Sequence, residues 1–459
     1  MGFTNIGGRF SGSSVAGSDA TLAYNDSIDI SFSGTSPLAI NAQYLEGTEF
    51  KDVGNFPTGL LGVSGPTEFT SDAISAKALS QQNSMEATQT DNGQIVGAYR
   101  TGGDLKFFVL NGTTFAKDVS ETTITSTCNI TSSNVIEVEK IPGTNNFVIA
   151  WIDTTASNQG RFAIFSSAGA VIKAATTFET SAAEVSVGTF SDGRIVLCAD
   201  VGSASNYTIF DSAGTELEAS TEITSAGTSN NISVAVLTND FMVFAMEVAA
   251  SDGAFFIYDA STNPSTLKVG ETLYTDFLSA NSANIIERGI RNGFAITHRD
   301  TLNAQIVQVT SIYRFVNDTT WENVGELVAN TFEGSTVGPV IDGDLSQGLY
   351  FISTLSNDGN ATRQPYIALF DSTTLAPIIT GFEKRTMTPF SAGTDLSYTM
   401  LIIDDKKLII MYRDGGDSDR GKFIVYQLTH FTMENDATGS VKITNRTGVT
   451  QNVKALVAF

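Results

Sequence analysis

A unit of strand text recurs along this chain between about residue 84 and residue 430, and that repeat limits the fold more than any other feature. The plainest copies of its second strand are Gln94-Ile95-Val96-Gly97-Ala98-Tyr99, Asn146-Phe147-Val148-Ile149-Ala150-Trp151 and Arg194-Ile195-Val196-Leu197-Cys198-Ala199. The same slot is filled from Phe241, Phe294, Leu349 and Leu408. Those anchors lie 46 to 59 residues apart (95, 147, 195, 241, 294, 349, 408). One four-stranded sheet per unit fits that spacing, so the expectation is an all-β chain: a seven-bladed β-propeller with N- and C-terminal β extensions.

The second repeat shows how a unit is written. Residues 135–141 read as strand a, 147–153 as strand b, 161–166 as strand c and 171–179 as strand d. Strand b is almost wholly apolar, as a strand must be when both faces of its sheet pack against neighbours. Strand c ends on an aromatic residue and a polar turn, as in Ile164-Phe165-Ser166-Ser167-Ala168-Gly169, Ile209-Phe210-Asp211-Ser212-Ala213-Gly214 and Leu369-Phe370-Asp371-Ser372. Asp or Ser starts such a turn by bonding its own backbone, which accounts for these aspartates without a ligand. Strand d carries a threonine-rich signature, Thr122-Thr123-Ile124-Thr125 or Thr221-Glu222-Ile223-Thr224. A stray copy at Thr67-Glu68-Phe69-Thr70-Ser71 predicts that residues 66–72 supply the outer strand of the last blade and so close the ring. His430-Phe431-Thr432 is the competing candidate for that place. The expected division is therefore 1–65 as an N-terminal extension or anchor, 66–432 as the propeller, and 433–459 as a C-terminal hairpin, Val441–Thr444 against 449–457.

Composition removes several function classes. The 459 residues carry 26 Lys and Arg against 49 Asp and Glu, a net charge of −23, with no basic stripe. A polyphosphate would be repelled, so nucleic acid is not an expected partner. No run of 18 apolar residues occurs, and membrane insertion is not expected. The N-terminus lacks the apolar stretch of a signal peptide. Cys128 and Cys198 lie in different repeats and read as free thiols.

Candidate site residues each meet a structural competitor. His298 falls in the slot held by Tyr99, Trp151 and Tyr412, where a large ring is packing. Asp153, Asp300 and Asp414 follow two residues after that slot and read as turn-capping carboxylates, with a pore-lining acidic ring as the alternative. The Asp414–Asp419 loop offers three carboxylates to a hard cation but lacks the spacing of a calcium loop. It reads as a solvated turn, and no metal or cofactor is expected. Tyr313 and Trp321 stand in an irregular stretch of the fifth repeat and are the candidate ligand-binding residues, able to stack on a sugar ring. The nearest approaches to a sialidase Asp-box, Ser191-Asp192-Gly193 and Ser251-Asp252-Gly253, lack its spacing and Trp. No nucleophile elbow, zinc-peptidase pair or Walker loop occurs, so no catalytic residue and no enzyme activity are expected.

The Thr-, Ser-, Asn- and Gly-rich all-β text, the Phe-Asp-Ser-x-Gly turns, and the segment from Gly439-Ser440-Val441-Lys442-Ile443-Thr444-Asn445 to Phe459 resemble a bacteriophage virion (tail- or fibre-type) structural protein. That resemblance implies a virion location and a non-enzymatic propeller scaffold. It also implies anchorage to other virion proteins through the termini, copies in a symmetric homo-oligomer, and contact with a host surface glycan or receptor. The alternative is a carbohydrate-binding or glycan-degrading propeller.

Overall fold

In the computed structural model the described residues are 15–22, 27–31, 39–46, 49–56, 67–69, 85–101, 103–129, 136–202, 204–224, 230–237, 239–248, 252–275, 285–290, 293–302, 305–317, 320–329, 340–344, 349–356, 364–371, 383–384, 398–403, 407–414, 420–427, 431–436, 440–445 and 451–458. Side chains are described mainly between 85 and 274. Among these residues the chain is all-β, with no α-helix and a single 3-10 turn at Thr154–Ala156. It divides into two compact units: residues 66–346 with 350–426, and residues 1–65 with 347–349 and 427–459.

The larger unit consists of four-stranded antiparallel meanders, each in the spatial order a-b-c-d. Sheet I is Met85–Gln89, Ile95–Thr101, Asp104–Leu110 and Lys117–Thr125. Sheet II is Ile136–Ile141, Asn146–Asp153, Gln159–Ser166 and Val171–Glu179. Sheet III is Val185–Thr189, Ile195–Val201, Ala204–Phe210 and Glu216–Thr224. Sheet IV is Asn230–Val236, Phe241–Val248, Asp252–Asp259 and Thr266–Thr275. Sheet V is Ile285–Ile290, Gly293–Leu302, Gln305–Asn317 and Thr320–Ala329. Sheet VI is Val340–Asp344, Leu349–Ser356, Gln364–Asp371 and Glu383–Lys384. Sheet VII is Tyr398–Ile403, Lys407–Asp414 and Arg420–Gln427, with Thr67–Phe69 as its outer strand. Phe69 lies opposite Phe423 and Thr67 opposite Val425.

Register shows why these strands stack. Strand b is buried along its length in sheets I to III, because a sheet lies against each of its faces. The aromatic that ends strand c rests on strand c of the sheet before it. Phe165 meets Phe107 at 4.7 Å, Phe210 meets Phe162 at 4.7 Å, Tyr258 meets Tyr207 at 5.4 Å and Tyr313 meets Phe255 at 4.9 Å. The repeat is thus one ring-on-ring contact copied from sheet to sheet. In sheet IV, Met242 lies opposite Tyr258 as Ile195 lies opposite Phe210, so the anchor there is Met242 and not Phe241.

The threonine signature has a local cause. Strands c and d slip register at one recurring place: 107 to 109, 162 to 164, 207 to 209 and 255 to 257. Beside each slip a threonine hydroxyl donates to the carbonyl two residues back. These are Thr122 to Ser120 at 3.0 Å, Thr176 to Ala174 at 2.8 Å, Thr221 to Ala219 at 2.9 Å and Thr272 to Gly270 at 3.1 Å. A bulge on an exposed edge strand twists it away from pairing with another chain, and the hydroxyl satisfies a carbonyl the ladder leaves open. In the c–d turn of sheet III, Asp211 accepts from Ala213 N and Thr215 N at 2.9 and 2.7 Å, and Gly214 takes φ +77°. Only a residue without Cβ adopts that conformation freely.

The smaller unit joins both ends of the chain. Gln451–Ala458 lies between Val15–Leu22 and Ala39–Glu46, with Glu49–Phe56 beyond, while Ser440–Asn445 lies between Ser27–Ser31 and Phe431–Asp436. This corrects the expected C-terminal hairpin: its two strands sit in different sheets because each pairs with N-terminal strands. It also places Phe431, the competing closing strand, in the smaller unit.

Candidate functional site

Strand a of each meander is the edge at which neighbouring sheets meet. Sheet I touches sheet II through these strands, sheet II touches sheet III, and sheet III touches sheet IV. Side chains at one level of this inner layer are the place to look for chemistry. Register defines the level: Glu86 opposite Ala98, Glu137 opposite Ala150, Ser186 opposite Cys198, Ser233 opposite Ala245 and Thr399 opposite Met411. All five are polar, although apolar residues flank them in the strand.

The level is stitched together across sheets. Thr399 Oγ1 of sheet VII donates to Glu86 Oε2 of sheet I at 3.1 Å. Val234 N of sheet IV donates to Ser186 Oγ of sheet III at 3.2 Å. Two residues along, Lys140 N of sheet II donates to Thr88 Oγ1 of sheet I at 3.3 Å. Glu86, Glu137 and Ser233 keep part of their surface open, while Ser186 and Thr399 are buried. Burial raises the Glu86 pKa to about 8, against the lowering by the Thr399 hydroxyl and the Ala87 backbone. Such a carboxyl keeps its proton at neutral pH and can give or accept one there. Near this level, Asp200 accepts from the Ser205 hydroxyl and its backbone pairs with Ala183 and Glu184, both carboxylates being buried. Cys198 donates to Ser186 O at 3.4 Å, and burial first, then the Asp200 and Glu137 charges, hold its thiol neutral.

The residues singled out from sequence fall elsewhere. Tyr313 and Trp321 stand in strands c and d of sheet V and not on an inserted loop, and the pairing of those strands slips register at Ile312/Tyr313 and at Phe315/Asn317. Tyr313 is the sheet V copy of the c-strand aromatic, stacked on Phe294 at 5.0 Å and buried, and Trp321 rests on Phe294 at 5.0 Å. Both rings belong to one apolar cluster with Phe255 and Val243. His298 is fully buried beside Tyr274 at 4.9 Å, and burial lowers its pKa to about 3, so it stays neutral. Asp153 caps the turn after strand b, accepting from Thr155 N at 3.0 Å, Thr127 Oγ1 at 2.8 Å and Arg161 Nη1 at 2.9 Å. Burial raises its pKa, but those bonds together outweigh burial and hold it at about 2. Cys128 and Cys198 are free and buried. Asp300 lies within the strand Gly293–Leu302 and Asp414 ends Lys407–Asp414, but their side chains, the 415–419 loop and His430 lie outside the described residues. Among the described residues no group of acids, cysteines and histidines is arranged to hold a metal.

The inner level is not marked in the sequence, because each of these residues stands between apolar neighbours in its strand and no motif singles it out. The available signal was the repeated slot itself, Met85-Glu86, Ile136-Glu137 and Val185-Ser186.

No protein-family model matches the chain, and no curated protein matches it. Solved structures do. A polysaccharide lyase of family PL25, an ulvan lyase determined with a glucuronate–rhamnose-3-sulfate ligand, is 9% identical, with a TM-score of 0.52 over 77% of this chain and 95% of its own. The Aleuria aurantia lectin, determined with Fucα1-6GlcNAc, is 10% identical over 68% of this chain and 97% of its own, at a TM-score of 0.45. A sialidase from Streptococcus pneumoniae is 9% identical over 81% of this chain and 71% of its own, at a TM-score of 0.40. The last two are too distant to carry an argument. Four-stranded meanders packed face to face in succession, with their first strands closest together, define a β-propeller-type fold. The expectation that the chain is not an enzyme is corrected here. The fold it shares also carries polysaccharide lyases, so missing sialidase and hydrolase motifs do not exclude catalysis.

Proposed function

We propose that this protein is a carbohydrate-active β-propeller that takes a glycan at the Glu86 level of its inner strands. The observation that carries the reading is Glu86 itself: a partly exposed residue on the inner strand, its carboxyl held by Thr399 of the neighbouring sheet and kept protonated at neutral pH by burial. Sugar hydroxyls need hydrogen-bonding partners of both kinds, and glycan cleavage needs a group that exchanges a proton near the working pH. The polar level of Glu86, Glu137 and Ser233 offers both. The ulvan lyase supports the reading by fold, as a saccharide-bound protein of the same architecture. A virion role rests on the style of the sequence alone and stands behind this reading.

The ring in this proposal has seven blades. Strand a of sheet V lies against that of sheet VI, sheet VI against sheet VII, and sheet VII against sheet I, which returns the chain to its start. Thr67–Phe69 completes sheet VII from the other end of the larger unit, so no blade is left open. The test is a panel of neutral, uronic and sulfated polysaccharides, scored for binding and for release of shorter chains. Binding or release that weakens in Glu86→Gln supports the reading. Silence across the panel would reject it.

A further inference from the structure

The first strands of sheets I to VII carry charge of predominantly one sign. Six acids stand on them, Glu86, Glu137, Glu139, Glu287, Asp342 and Asp344, against two cations, Lys140 and Arg288. Glu137 and Glu139 alternate with the buried Ile136 and Val138, so both lie on the partly open face of their strand. The Glu137 charge reaches Cys198 of sheet III, where it helps to hold the thiol neutral. Glu86 stands at the Glu137 level on the adjoining strand. The site is the one at Glu86, and the acids around it decide what it admits.

Among the described side chains, the cations near this level are committed elsewhere. Lys140 Nζ is held by Asp91 at 2.9 Å, in the turn between the first two strands of sheet I. Arg100 is enclosed and donates to the carbonyl of Asn129. His298 is enclosed and neutral. An opening lined by one sign of charge focuses its field and repels a ligand of that sign. A uronate or sulfate entering beside Glu137 and Glu139 would give up water and meet like charge, and both effects oppose binding. Sugar hydroxyls meet neither obstacle. They can donate to the carboxylates and accept from Glu86, which keeps its proton at neutral pH. An ammonium group on the sugar would be drawn in.

We infer that the glycan taken at the Glu86 level is built from uncharged sugars or amino sugars, and that this level excludes uronic and sulfated chains. The inference rests on the glycan reading and narrows it.

The test measures binding of the full chain, at low salt, to neutral glucans and galactans, to chitosan oligosaccharides, and to polygalacturonate, alginate and dextran sulfate. The expected result is binding confined to the neutral or amino-bearing chains and weakened in Glu86→Gln. A second variant, Glu139→Lys, should bind the anionic chains at least about tenfold more tightly than the parent, and the neutral ligand within about twofold of it. Anionic chains bound by the parent as tightly as neutral ones, and weakened in Glu86→Gln, would overturn the inference while leaving the glycan reading in place. No gain of anionic binding in Glu139→Lys would overturn it as well. Silence across all three classes would instead reject the glycan reading, and the inference with it.

Discussion

At the scale of single residues, the fold assigns ionisable groups by what surrounds them. His298 fills the ring slot of Tyr99 and Trp151 and is neutral because charging it in an apolar wall is costly. Its folded pKa, about 3, lies below the ordinary value of 6.5, so its contribution to stability is complete above pH 6.5 and is lost as pH falls toward 3. Phenylalanine keeps the ring and removes the titration. His298→Phe should match the parent within about 1.5 kcal/mol at pH 7. Between pH 6.5 and pH 4 the parent alone should lose roughly 1.4 kcal/mol per pH unit to this group. Denaturant titrations at pH 7 and pH 4.5 measure the difference, and parallel loss in both chains would refute it. Glu86 runs the other way. Its pKa is raised, so its contribution is present below the ordinary carboxylate range and lost as pH rises through about 8.

At the scale of elements, one strand pattern is copied with its contacts, and this accounts for the packing of Tyr313. Ile312-Tyr313 repeats Ile164-Phe165 and Ile209-Phe210 in register as well as in text. Truncating Tyr313 to alanine should cost about 3 to 5 kcal/mol, as for a buried aromatic. It should leave glycan affinity, measured on folded protein, unchanged. A folded, equally stable Tyr313→Ala that loses glycan binding would return the ring to the ligand. The a-b-c-d meander, the all-apolar strand b and the Asp-capped turns were legible in the sequence, because they depend on neighbours within a few residues. The polar level at Glu86 was not. Whether an isolated glutamate in an apolar strand faces a core or an opening depends on which sheet lies against it, and sequence spacing does not carry that.

At the scale of the whole molecule, both units are completed by pairings between distant parts of the chain. Thr67–Phe69 lies against Arg420–Gln427, and Gln451–Ala458 lies between two N-terminal strands. The stray Thr-Glu-Phe-Thr copy betrayed the first pairing, because it repeats a strand d with no blade of its own. The second had no such signal, since the end strands share no motif and their order follows from three-dimensional pairing. A chain lacking residues 1–75 should lose hydrogen-exchange protection in the stretch 423–425, at the alternate amides that point toward the removed strand. Unchanged protection there would argue against closure by that strand.

The central claim is that a glycan meets the inner level of the ring at Glu86, and a comparison of Glu86→Gln with the parent on an active polysaccharide tests it most directly. If the parent cleaves, the variant should lose turnover on the order of 100-fold while unfolding at a similar temperature, and the limb of the parent's pH profile set by Glu86 should vanish. If the parent only binds, the variant should bind roughly tenfold more weakly. A variant that cleaves or binds as the parent does, with the same pH dependence, would contradict the account.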